Sequence, residues 1–216
     1  MATKGGQLGW EIYSNYALPL AVFVPIGYSL WHYEERKRAV YYVTVLTSVV
    51  FTMNVSKLWY HQPRPFWVNP AIESSSCSTQ YGNPSGHSLV AMAFAGIIWL
   101  DYNDTMRDAK RREDEVSGVS ADSTMFSRYS DCSCKLWYTR TMFFVVAILF
   151  AATVGFSRIV LGVHSINQVT FGLQLGVWLA CTSHFCIKDR LFANFDRLVG
   201  DPSTSSVEGE PEKGEE

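Results

Sequence analysis

Apolar residues in this chain gather into long blocks, and charged residues gather between them. Five blocks stand out: Tyr13 to Trp31, Ala39 to Trp59, Gly86 to Leu100, Thr141 to Phe156 and Gln168 to Ile187. Each approaches the ~20 apolar residues that let a helix cross a bilayer. Ala39 to Ser56 carries no charge, so it lacks the polar stripe of a helix on the surface of a soluble core. Pro19 and Pro25 fall inside the first block, where a membrane helix tolerates them better than a soluble one. The pattern predicts an all-α, polytopic membrane helical bundle of about five transmembrane helices, spanning residues 10–190.

The mean hydropathy is only +0.03, an average that conceals this segregation. Met1 to Trp10 lacks a basic region leading into a short apolar core, so the first block is expected to act as its own insertion signal. The polar stretch Asp101 to Arg140 reads as a long, partly disordered cytosolic connection, with its loop at 103–140. Residues 200–216 form an acidic tail rich in Ser, Gly, Pro and Glu, expected to be disordered.

Charge then orients the bundle. Arg36, Lys37 and Arg38 follow the first block, and the long connection carries Arg107, Lys110, Arg111, Arg112, Arg128, Lys135 and Arg140. Lys188 and Arg190 follow the last block. An outside N-terminus puts all of these on one side, which the positive-inside rule makes cytosolic. Only Lys4, Lys57, Arg64 and Arg158 remain for the other side.

The five cysteines are irregularly spaced and give no disulfide framework. Cys132 and Cys134 are too few ligands for zinc, and Cys181 and Cys186 read as apolar packing residues. No metal, cofactor or nucleic-acid partner is expected, and the oligomeric state is left open.

Three of the four non-cytosolic cations lie in short segments with unusual chemistry. "KLWYHQPRPFW" carries Lys57 and Arg64. "YGNPSGHSLV" places Pro84, Ser85, Gly86 and His87 at the mouth of the third block. "FSRIVLGVHSINQV" carries Arg158, His164 and Gln168. Taken singly, these are snorkelling cations, an interfacial histidine and a helix cap. Together they match what a phosphate monoester requires. Arg offers a planar fork and Lys a point charge. Backbone N–H groups at a helix start, here from Ser85 and Gly86, add an anion site. One imidazole can attack phosphorus while another protonates the leaving oxygen.

The order and spacing Lys-x6-Arg-Pro, Pro-Ser-Gly-His and Ser-Arg-x5-His resemble the three signature motifs of the type-2 phosphatidic acid phosphatase superfamily. That superfamily includes vanadium haloperoxidases and glucose-6-phosphatase. The resemblance runs from Lys57 to Gln168. It implies a helical bundle with a metal-independent phosphatase site at its non-cytosolic end. Lys57, Arg64 and Arg158 would hold the phosphate with Ser85 and Gly86. His87 would be the general acid, and His164 the nucleophile that becomes a phosphohistidine. The family usually has Asp four residues after that nucleophile. Here Gln168 stands there, on the same helix face as His164, able to orient the ring but supplying no negative charge. Glucose-6-phosphatase-like and dolichyl-diphosphatase-like members share this Gln.

"RPFW", Cys77 and "GNPSGH" are similar to the glucose-6-phosphatase pattern, whereas the short chain is closer to lipid phosphatases. "SRIVLGVHSI" is similar to sphingosine-phosphate phosphatases. The expected activity is hydrolysis of a lipid phosphate (phosphatidate, a sphingoid-base phosphate or a polyprenyl diphosphate) in the endoplasmic reticulum or another endomembrane. The alternatives are a sugar phosphatase of the glucose-6-phosphatase kind and an inactive membrane scaffold. A haloperoxidase is disfavoured because those members are soluble and larger.

Overall fold

The computed structural model describes residues 4–74, 78–117 and 125–199. Cys77 and the tail at 200–216 lie outside the described residues, as do the side chains of Cys132 and Cys134.

Every regular element among the described residues is helical. Helix α1 runs Lys4–Trp31, with Pro19 and Pro25 inside it. A 3₁₀ turn, Tyr33–Glu35, leads into α2, Arg36–Tyr60. The short α3 is Pro65–Val68. Then come α4, Gly86–Ser117, α5, Met125–Val160, and α6, Ile166–Thr182. A π-helical turn, Ser183–Ile187, joins α6 to α7, Lys188–Val199. The five long helices correspond to the five apolar blocks. Among the described residues, three stretches are long and apolar enough to cross a membrane by length and composition: Arg36–Val68, Trp137–Val160 and Ile166–Val199.

Side chains such as Leu20, Phe23, Phe51, Val146, Leu149 and Trp178 stay more than half exposed. A bundle in lipid has no reason to bury them, because lipid tails are as apolar as leucine. Close packing of small residues holds such helices together instead. Helix α4 is the enclosed one, with Leu89, Ala91, Ala93, Phe94 and Ile97 fully buried, and its most extensive contact is with α6. A Cβ on Gly172 of α6 would lie 2.7 Å from the Ser85 carbonyl oxygen, and one on Gly176 would lie 2.8 Å from that of Leu89. Gly172→Ala is therefore expected to destabilise the protein by about 1–3 kcal/mol through overpacking. Thermal unfolding of the detergent-solubilised variant reads the loss.

The long polar connection differs from expectation. Helix α4 continues without a break through Ser117, and α5 starts at Met125, so most of 103–140 is helical. Asp101 and Asp104 are built into the bundle, while Arg107, Arg111 and Arg112 stay exposed. Asp101 is buried and meets Arg38 Nε at 3.4 Å and Lys188 Nζ at 2.8 Å. The Tyr42 hydroxyl donates to Asp101 at 2.8 Å, and Lys188 also reaches Asp104 at 2.7 Å. Ion pairing of this kind is what allows charges to sit inside a membrane protein. Arg38 and Lys188, expected only as orienting charges, clamp α2, α4 and α7 at one end.

Candidate active site

The three motif segments meet at the opposite end of the bundle. Helix α2 ends because His61 takes a left-handed conformation (φ 45°) and its N–H bonds the Lys57 carbonyl. Pro63 and Pro65 bar any continuation, and Arg64 becomes the extended residue that opens α3. Lys57 and Arg64 are thus turned inward from two sides of one bend, both under 9 % exposed.

The Arg64 guanidinium is fixed at three points. Its Nε donates to the Gln80 carbonyl oxygen at 2.7 Å, and its Nη1 donates to the Val163 carbonyl at 3.2 Å. The same Nη1 lies 3.4 Å from His164 Nε2. Lys57 Nζ donates to Gln80 Oε1 at 2.8 Å. Gln80 therefore aligns both cations, although no motif points to it.

The third segment folds by its own rules. Gly162 turns the chain with φ +69°, a conformation glycine adopts freely. The Arg158 carbonyl accepts the N–H groups of Val163 and His164. Ser165 then caps α6 in a capping box with Gln168. Arg158, in the last turn of α5, donates from an Nη1 to Ser14 Oγ of α1 at 3.0 Å. Among the described residues its Nε has no partner, so that donor is free for a ligand.

Gln168 fixes the chemistry of His164. Its Nε2 donates to the Pro63 carbonyl at 2.9 Å, while its Oε1 accepts the Ser165 N–H at 3.2 Å. These two contacts leave only one orientation of the amide. Oε1 therefore also accepts from His164 Nδ1, 3.3 Å away, and the proton of a neutral ring sits on Nδ1. The lone pair is left on Nε2, facing Arg64. Burial, and then the Arg64 charge, push the imidazole down from 6.5 to about 3, against the opposing pull of the Gln168 hydrogen bond. The ring is neutral and nucleophilic through the physiological range.

Gln168→Glu tests this arrangement. A carboxylate beside Nδ1 favours a second proton on the ring, and it removes the donor to Pro63. Loss of activity on acidification follows protonation of the nucleophile in the free enzyme. The acid limb of the kcat/KM profile is expected to move to higher pH than in the wild-type protein.

The second segment behaves differently from expectation at one residue. The Ser85 N–H donates to the Gln168 carbonyl at 3.0 Å, and its Oγ accepts from Ser88 Oγ at 2.9 Å. Ser85 is fully buried and does not line the cavity; it locks α4 to α6. Gly86 and His87 do reach the cavity wall.

That cavity has a volume of about 390 Å³. Lys57, Arg64, Arg158, His87, His164, Gly86, Gln80 and Ser78 form its polar part, and Leu18, Met53 and Val90 its apolar part. Among the described residues its lining has three cations and no carboxylate, which suits a dianion. The sequence offered faint signals for two of the unexpected residues. Met53 precedes Lys57 by one helical turn and so shares its face. Ser14 is a polar residue inside an apolar helix, a position that often marks a function.

Among the described residues no group of three or more His, Cys, Asp or Glu side chains is placed to hold a metal. The PAP2 superfamily model matches residues 38–192, a range that contains all three segments. The chain belongs to the PAP2 superfamily. A transmembrane PAP2-type phosphatidylglycerolphosphate phosphatase from Bacillus subtilis has a similar fold, with a TM-score of 0.57 at 19 % identity. The match covers 92 % of this chain and 80 % of that one. No curated protein sequence matches. The matched range takes in the three segments, and the helical bundle is similar in fold to that transmembrane phosphatase.

Proposed function

We propose that this PAP2 protein is an integral membrane phosphatase that hydrolyses a lipid phosphomonoester or diphosphate through a phosphohistidine. The observation that carries the reading is one cavity lined by three cations and by His164, whose unprotonated Nε2 faces Arg64. A phosphoryl group held by Lys57, Arg64, Arg158 and the Gly86 N–H would present phosphorus to that lone pair. Phosphoryl transfer depends mainly on such positioning and charge stabilisation. Nε2 bonds to phosphorus as the bond to the ester oxygen breaks, and His87, protonated when the phosphate dianion offsets the three cations, gives that oxygen its proton. Water then attacks the phosphohistidine, His87 takes the water's proton, and inorganic phosphate leaves with the ring restored. No step calls on a metal ion.

The apolar wall supports a lipid rather than a sugar. Leu18, Met53 and Val90 flank the place where the leaving group lies beside His87. A polyhydroxylated sugar would lose its hydrogen bonds against that wall, at a cost of roughly 1–3 kcal/mol for each group left unpaired. Phosphate release by the purified protein is expected from phosphatidate, sphingosine phosphate or polyprenyl diphosphate. Release from glucose 6-phosphate alone would favour the sugar phosphatase. No release from any of the four would favour an inactive scaffold. The concentration of Arg36, Lys37, Arg38, Arg107 and Arg140 at the other end supports a site on the non-cytosolic side, of an endomembrane such as the endoplasmic reticulum.

A further inference from the structure

A second cavity, of about 630 Å³, lies between α4, α5 and the π-helical turn. Trp99, on its wall, is 12 residues after His87 in α4, which places it ~18 Å along the helix from the phosphatase site. The two cavities share no lining residue. Trp99, Phe144 and Phe185 give the second cavity an aromatic floor, and Arg107 and Arg140 supply two cations. Asp104 also lines it, but its carboxylate is held by Lys188 at 2.7 Å and lies 3.2 Å from His184 Nε2.

Several polar groups here lack partners. Among the described residues, Arg140 Nε and His184 Nδ1 are buried without a hydrogen bond. The His184 side chain is only 6 % exposed, and it forms part of the cavity wall. Arg140 Nε is an unmet donor, and His184 Nδ1 is an unmet acceptor because Nε2 faces the Asp104 carboxylate. Buried polar atoms of this kind cost stability unless a ligand or water meets them. The π-helical turn that places His184 and Phe185 on the wall is itself a feature common at functional sites. The cavity also sits at membrane-interface depth. The apolar span of α5 begins at Trp137 on its rim, and tryptophans concentrate at the level of lipid headgroups.

We propose that this cavity binds one molecule of an anionic glycerophospholipid, with its phosphate between Arg107 and Arg140 and an acyl chain against Trp99, Phe144 and Phe185. Two guanidiniums beside one neutralised carboxylate select an anionic headgroup over a zwitterionic one. The apolar floor selects a lipid over free phosphate. The site is separate from the phosphatase centre and does not depend on its chemistry.

Native mass spectrometry of the purified full chain tests this, with phosphatidylglycerol and phosphatidylcholine as probes. The wild-type protein is expected to retain one phosphatidylglycerol in preference to phosphatidylcholine. Arg107→Gln with Arg140→Gln is expected to lower that occupancy about 10-fold or more. Thr141→Trp, which fills the cavity and keeps both cations, should have the same effect and covers the case in which the double variant fails to fold. Arg111→Gln, on the same charged end but off the cavity wall, should leave binding unchanged. Equal retention of the two lipids overturns the proposal. So does a bound lipid that is lost on Arg64→Gln but kept by the Arg107/Arg140 variant, because that lipid would sit in the phosphatase cavity.

Discussion

His164→Ala is expected to lower phosphate release by ~10⁴-fold or more, the scale seen when a catalytic nucleophile is removed. The loss should appear in kcat, because Lys57, Arg64 and Arg158 still bind the phosphoryl group. The reason is local. Nε2 is the ring nitrogen without a proton, and it faces Arg64 Nη1 at 3.4 Å. His164→Gln is the useful companion, since it keeps bulk and polarity but cannot form a phosphohistidine. Membrane insertion and thermal unfolding should change little in either variant. Full turnover in both variants would remove His164 from the mechanism.

His87→Ala is expected to lower kcat by about 10²–10⁴-fold on an alkyl phosphate, the range for a lost general acid. His87 lies in the first turn of α4 on the cavity wall, next to the apolar surface of Leu18, Met53 and Val90. An alkoxide is a strongly basic leaving group, so its departure needs a proton as the bond breaks, and His87 is placed to supply it. The deficit should depend on the leaving group. An aryl phosphate with a more acidic phenol needs less protonation, and its hydrolysis should be impaired far less. An equal loss on both esters would mean that His87 acts through structure rather than by proton transfer.

The fold was largely legible from the apolar blocks because lipid leaves such blocks unbroken. The five long helices follow them, and the turn residues Pro63, Pro65, Gly162 and Ser165 mark where the site's loops fall. The polar stretch was harder to read. Asp101 and Lys188 look like surface charges in the sequence, yet they pair inside the bundle, and α4 runs on past them to Ser117. Sequence spacing also cannot show who holds whom. It brought Lys57, Arg64, His87, Arg158 and His164 to one cavity. It could not show that Gln80, from an irregular loop, aligns two of the cations. Nor could it show that Ser85 spends its N–H on the Gln168 carbonyl. Gln168 reads in the sequence as a subfamily mark that orients the His164 ring without supplying negative charge. Its amide accepts from His164 and also donates to Pro63, a link that a carboxylate could not make.

The most direct test is to trap the covalent intermediate. Purified protein mixed with substrate carrying a labelled phosphoryl group and quenched within one turnover should hold label that is lost in acid and stable in base, as a phosphohistidine is. Peptide mapping should place that label on His164, and the His87→Ala protein should carry the same label. An active protein that shows no labelled histidine, or that carries the label on any residue other than His164, would contradict the account.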